Sequence, residues 1–499
     1  FYDNKDVDGD GHNEGGFFPR GLGTNVIYAA GPWIGAIKNG IPVVSETMFA
    51  TEFQPGHILN SGVSFYDLTA DSVNHPGNRV YVIDRSKSGS DWTDWPQDAH
   101  RDANGDPALI ADVQTWAVFN DLDTTLSQEG TGISPQPGLG LEITMESFSL
   151  DRPEIGDAVF LKYSIHNKTN QSYGSAYFGL WADADVDHSG NDLLGSDSSR
   201  GIGYTYNTDN SDEPLAVGFD FVQGPLVDKN TIPAQYQYKF QSNTKVLQYN
   251  ANTNSYEPRQ LSSDSIYLGA TSANTWFGGT DPTNNSQRYN LLQGLSRTGG
   301  TMIYGSNGWF YPGNPVTGSG LIHTSATDQR FLISTGPFRM EAGSVQEIWA
   351  AVIGGHSNDR LGAVSRLMLN DDIIQSVVNS GFGTSLWNMP SPVVHATTGD
   401  GFVTLHWDSL AESMKDPIAL SGIIDTAHGY SDSLRVYDFQ GYRVYRSLTG
   451  TPGSFSLLAQ FDKIDDITAL RQWSQHPSGG YISSYIELGE NTGLAHSYT

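Results

Sequence analysis

Apolar residues along this chain recur in short runs rich in β-branched and aromatic side chains, each bounded by Gly, Asn or Asp. Asn25-Val26-Ile27-Tyr28, Arg79-Val80-Tyr81-Val82-Ile83 and Glu347-Ile348-Trp349-Ala350-Ala351-Val352-Ile353 are examples. Such runs read as β-strands, because alternate side chains of a strand face opposite sides and branched side chains pack well on a pleated surface. The stretch Ala158–Ile165 alternates cleanly, with Val159, Leu161, Tyr163 and Ile165 on one face and Lys162 and Ser164 opposite. Strands of this kind in series predict packed antiparallel sheets.

One segment breaks the two-residue period. From about 359 to 380, Leu361, Val364, Leu367, Met368, Ile374, Val377 and Val378 keep a helical stripe, with Ser357 and Asn358 as candidate caps and Gly381 as the stop. A stripe like this predicts a helix laid against a core. After Pro390-Ser391-Pro392 the texture changes again. Gly401–Trp407 and Phe439–Ser447 resemble two strands of a fibronectin type III sandwich, whose Trp points inward between the sheets. The closing Gly493–Thr499 reads as the lead-in to another strand, so either the polypeptide is expected to continue or another chain to supply strands. The predicted class is therefore mainly β, as multiple antiparallel β-sandwich units with one amphipathic helix. The expected divisions are an N-terminal β region (1–110), a large sandwich with the helix near its end (111–389) and an incomplete fibronectin III-like domain (390–499).

Composition sharpens this picture. The 499 residues include 55 acidic against 27 basic, a net charge of −28, which repels phosphate backbones and argues against nucleic-acid binding. No Cys is present, which excludes disulfides, thiolate metal sites and cysteine nucleophiles. No apolar stretch is long enough to span a membrane. A secreted chain of this kind must draw extra rigidity from core size, metal ions or assembly.

Part of the acidic excess lies in loops where oxygen-bearing side chains alternate. In Asp6-Val7-Asp8-Gly9-Asp10-Gly11-His12-Asn13-Glu14, carboxylates from Asp6, Asp8 and Asp10, a carbonyl from His12 and a ligand from Glu14 would wrap an ion with the oxygen-rich coordination of calcium. The spacing matches the short repeats of dockerins and thrombospondin type 3 segments better than an EF-hand. A second loop, Asp183-Ala184-Asp185-Val186-Asp187 closed by Asp192, repeats the alternation at the end of an aromatic strand. Weaker candidates are Asp102, Asn104 and Asp106, and Asp121 with Asp123, where a hydrogen-bonded Asx turn is an equal alternative. The predicted cofactor is Ca2+. Magnesium demands tighter octahedral geometry, and zinc would find only His12 and His188 nearby.

Catalytic signatures are missing: neither H-E-x-x-H, G-x-S-x-G nor a phosphate-cradling glycine loop occurs. Paired carboxylates from distant loops would still suit a glycosidase, and Trp309, Phe310 and Tyr311 are candidates for stacking on sugars.

Several phrases are similar to large proteins that Bacteroidota and their relatives export by the type IX secretion system. They include Gly31-Pro32-Trp33-Ile34-Gly35, Asp102–Pro107, Trp116–Asp121, Trp181–Asp185 and Arg330–Phe338. The resemblance implies a location outside the cell or on the outer surface of a Gram-negative bacterium, and no activity. Together these readings predict a calcium-stabilised structural or adhesive surface protein, a subunit of a filament or sheath. It would self-associate or take strands from another surface protein. The alternative is a secreted polysaccharide-active enzyme or carbohydrate-binding protein.

Overall fold

The computed structural model describes residues 16–19, 25–126, 137–150, 155–210, 213–239, 245–302, 305–379, 392–413, 439–449, 454–465, 469–475, 481–487 and 491–499. Contacts divide the chain into two compact units, the first reaching Phe382 and the second beginning at Gly383. That junction falls near the expected change at 390.

The first unit is a sandwich of two large sheets. In the first sheet, strand Tyr173–Asp183 lies between Ala29–Lys38 and Gln329–Met340. Ile41–Glu46 extends one side, and Ser272–Phe277 with the short Trp309–Phe310 extends the other. The second sheet runs Asp192–Asp197, Ile202–Asn207, Leu215–Gln223, Val345–His356, Ala158–Asn167, Leu141–Ser149, Val113–Asn120. Nearly every pairing is antiparallel, as the alternating pattern predicts; Ser272–Phe277 meets Trp309–Phe310 in parallel. Residues 25–110 do not form a body of their own. Ala29–Lys38 hydrogen-bonds directly to Tyr173–Asp183, and Tyr81–Asp84 to Val113–Asn120, so the expected division at 110 is absent.

The core between the sheets contains Ile34, Phe178, Phe331 and Ile333 from one sheet and Ile143, Ile165, Phe219 and Ile348 from the other. The outer face of the first sheet is also buried, by Trp33, Trp181, Trp276 and the helix Asn285–Leu292. Two glycines permit this close approach: a Cβ at Gly35 or Gly179 would lie 2.8 Å from a methyl of Leu292. The long helix Arg360–Asn379 covers the outer face of the second sheet through Val364, Leu367, Ile374 and Val377, all almost fully buried. Its first turn is capped by Asp359, whose Oδ1 accepts from the Leu361 and Gly362 amides, rather than by Ser357 or Asn358. Gly381 lies outside the described residues.

Lys162 departs from the simple inside–outside reading. Both faces of its strand are covered, so its ammonium is 3% exposed and held by Glu146 at 3.1 Å and Glu347 at 3.0 Å. Those carboxylates outweigh desolvation and hold the Lys162 ammonium well above its ordinary range.

At one end the sheets do not close on each other. There Phe119, Met145 and Val159 point inward yet are only half-buried, lining a cavity of about 560 Å³ with Leu161, Leu180 and Phe219.

In the second unit, Val394–Gly399, Phe402–Trp407 and Ser497–Tyr498 form a three-stranded antiparallel sheet. Gly441–Arg446 pairs with Ser456–Asp462, and Ala469–Gln475 with Tyr481–Glu487. Trp407 is buried against Tyr442 and Phe461, with ring centroids at 5.5 and 5.9 Å. The inward Trp is thus where the sequence puts it, while the described strands make three small sheets and not a full fibronectin topology.

Candidate metal centre

Strand pairing builds the site. Tyr173–Asp183 runs antiparallel to Gln329–Met340, with Ala182 opposite Phe331. Continuing that register places Asp183 across from Arg330 and Asp185 across from Asp328. Among the described residues, Asp183, Asp185 and Asp328 form a group in which one carboxylate oxygen from each lies within 4.8 Å of the other two. Such a group could hold a metal ion. The chain then turns through 186–191 and enters the second sheet at Asp192, whose Oδ1 accepts from the Val186 amide at 3.2 Å.

Burial sets the electrostatics. Asp183 and Asp192 are each 2% exposed, while the Asp328 side chain, 45% exposed, marks the solvent side. One cation answers these acids. Arg330 reaches Asp183 Oδ2 at 3.2 Å and Asp328 Oδ1 at 2.8 Å, and its guanidinium lies 5.3 Å from the Phe49 ring centroid. Asp183 Oδ1, Asp185 Oδ1 and Asp192 Oδ2 are buried with no hydrogen-bond partner.

Desolvation, reinforced by the neighbouring carboxylates, therefore pushes Asp183 up to about 8 against the pull of Arg330. Asp192 is pushed up to about 9 by burial and by the charges of Asp185, Asp183 and Asp328, opposed by the Val186 amide. Asp185 is pushed up to about 6, chiefly by burial. Buried carboxyl oxygens left unpaired are costly, and a hard divalent cation satisfies them with the oxygen ligands it prefers. Asp281, whose Oδ1 accepts from Trp276 Nε1 at 2.8 Å, adds negative charge felt by Asp183 and by Glu46. Glu46 itself is fully buried and paired with Arg288, which also holds Glu52 at 2.8 Å.

Of the second sequence loop, Asp183 and Asp185 enter the group and Asp192 adjoins it. Asp187 does not: its backbone is left-handed (φ 70°) and its carboxylate is 3.5 Å from His188 Nε2. A left-handed residue projects its side chain out of the alternation that a strand would keep. Asp328 and Arg330 were not among the sequence candidates, since only the pairing of strands some 150 residues apart brings them in.

The first loop, with Asp6, Asp8, Asp10, His12 and Glu14, lies outside the described residues. The weaker candidates are engaged by their own turns. Asp102 Oδ1 accepts from the Asn104 and Asp106 amides at 2.8 and 3.0 Å, in an exposed Asx turn. Asp123 Oδ1 accepts from the Thr125 amide and hydroxyl. Asp121 is buried, but its oxygens take four donors: Gly140 and Leu141 amides on Oδ1, Ser45 hydroxyl and Leu139 amide on Oδ2. Its acceptor capacity is spent on the Leu139, Gly140 and Leu141 amides and on Ser45. Asp121 follows a strand of the second sheet, while Asp183 ends a strand of the first. Trp309, Phe310 and Tyr311 are buried in the core and offer no platform for a sugar ring.

Among the described residues no helix is long and apolar enough to cross a membrane. Comparison with models of known protein families gives no match. Comparison with curated proteins gives none either.

Proposed function

We propose that this is a calcium-stabilised structural or adhesive protein of the bacterial exterior, a subunit of an extracellular filament or sheath exported by the type IX route. The observation that carries the metal part is the set of buried oxygens of Asp183, Asp185 and Asp192 without hydrogen-bond partners. Calcium suits it better than magnesium. The donors are mostly carboxylates from three separate chain segments, and a large ion with variable coordination tolerates such a set. The exterior location rests on the acidic, cysteine-free composition and on the sequence phrases shared with secreted proteins. A large sandwich with both outer faces covered suits a load-bearing part.

Two measurements test the reading together. Calcium at millimolar concentration is expected to raise the melting temperature by several degrees over a chelated sample, through binding to the folded state alone. Electron microscopy of the native material is expected to show the protein in fibres or sheaths. An unchanged melting temperature removes the ion, and a protein that stays monomeric on the native surface removes the structural role.

A further inference from the structure

The cavity at the open end of the first unit has a different chemistry from the aspartate centre. Its walls are Phe53, Phe119, Met145, Leu161, Leu180 and Phe219, contributed by strands of both sheets. Among the described residues no charged side chain lines it. Polar groups gather near the rim. Thr47 and Thr51 face each other with hydroxyls 3.0 Å apart, and Gln54 donates to Asn120 Oδ1 at 2.9 Å. Thr51 and Pro55 are exposed and mark the mouth.

The pattern of burial on Val113–Asn120 agrees. Gln114, Trp116, Val118 and Asn120, on its outer face, are buried, while Thr115, Ala117 and Phe119, facing inward, are only half-buried. A sandwich whose inner face is less buried than its outer face has room for something between its sheets.

Water is a poor occupant. Each buried water needs about two to four polar partners, and the described inner walls supply only the Tyr163 hydroxyl and that of Ser147, which already pairs with Thr115 at 2.7 Å. The volume, about 560 Å³, lies within the ordinary range of ligand sites, roughly 300–1,000 Å³. We infer that the cavity binds an unbranched, uncharged hydrocarbon chain, such as the acyl tail of a surface lipid, entering past Thr47, Thr51 and Gln54 with its head group left in solvent. Counting a methylene at about the volume of a water, roughly 30 Å³, the space would take about 19 methylenes if completely filled, so a chain of about 12–16 carbons fits with incomplete filling. The absence of a lining cation disfavours a carboxylate head group inside.

The test uses the full chain purified without detergent, with straight-chain alcohols from 1-octanol to 1-hexadecanol as probes. Thermal stability is expected to rise with chain length and level off near about 12–16 carbons, and native mass spectrometry to show one chain per protein. Val159→Phe, which fills the void from one wall, is expected to melt higher than wild type without probe and to bind 1-dodecanol about tenfold more weakly. Ser147→Leu, from the neighbouring strand, should act in the same direction, which guards against one variant folding poorly. A flat response across the series overturns the inference, as does equal binding by wild type and the filled variants. So does a cross-link showing that a segment of the chain itself occupies the space.

Discussion

Replacing Asp192 by Asn separates the two states of the aspartate centre. The substitution keeps the shape of the side chain and its acceptance from the Val186 amide, but removes the ability to ionise. Without metal, the Asp192 carboxyl is held up to about 9 in the folded protein against an ordinary value of 3.8. Between these values the folded state binds the proton that the unfolded state has lost, so stability is fully present below about pH 4 and falls as pH rises toward about 9. At pH 7 the gap from the ordinary value is about 3 units, or roughly 4 kcal/mol as a ceiling at about 1.4 kcal/mol each. The asparagine side chain carries no such penalty. In chelator, Asp192→Asn is therefore expected to stabilise the protein by about 2–4 kcal/mol at pH 7 and by under about 1 kcal/mol at pH 4. With calcium that advantage shrinks. Wild type gains about 2.7 kcal/mol when the ion is at a hundred times its dissociation constant, and the variant, short of one negative charge beside the ion, loses part of that gain. Urea unfolding at pH 4, 7 and 8, each with chelator and with calcium, gives the two columns. An equal loss of stability in both columns at every pH would refute the argument, because Asp192 would then be an ordinary packing and hydrogen-bonding residue.

Three further outcomes follow from the same groups and their neighbours. Calcium binding at pH 7 is expected to release protons from Asp183 and Asp192, seen as a binding enthalpy that scales with buffer ionisation enthalpy in calorimetry; affinity should rise between pH 6 and 9. Lys162→Met leaves Glu146 buried without its cation and is expected to cost about 3–5 kcal/mol in chemical unfolding, most of it recovered in the Lys162→Met, Glu146→Leu double variant. Asp371 on the long helix is fully buried beside Asp220 of the sheet, and burial with that like charge raises it well above the usual carboxylate range; Asp371→Asn is expected to flatten the fall in stability as pH rises above about 4, read from melting temperature against pH.

The extent to which this molecule can be read from its residues follows the range of the interactions involved. The strands at 25–27, 158–167 and 345–356, and the helix at 360–379, are legible because their patterns repeat within a few residues. Asp183 and Asp185 are legible for the same reason, since alternation puts both on one side of an extended segment. Asp187 continues the alternation in writing only, because the chain has turned left-handed there. Asp328 is invisible to any local pattern. It joins the group through the register of two distant strands, and a shift of one residue would face it the other way. Lys162 looks like a solvated position until the second covering layer is known, and residues 25–110 look separable until Ala29–Lys38 is placed beside Tyr173–Asp183. Asp102 and Asp121 carry the composition of ligands but direct it to their own backbones.

The loop between Asp183 and Asp192 leaves one sheet and enters the other. An ion held by Asp183 and Asp185 at one end of that loop, and attracted by the buried Asp192 carboxylate at the other, would act as a rivet through the sandwich, tying a central strand to an edge strand. Force pulling the sheets apart would then have to strip ligands from the ion before any strand could peel away. Resistance to pulling would depend on the salt around the protein and not on its redox state. A chain with no cysteine would thereby gain the kind of cross-sheet fastening that disulfide-bonded sandwiches obtain from a covalent bond, and it would be fastened only after reaching calcium.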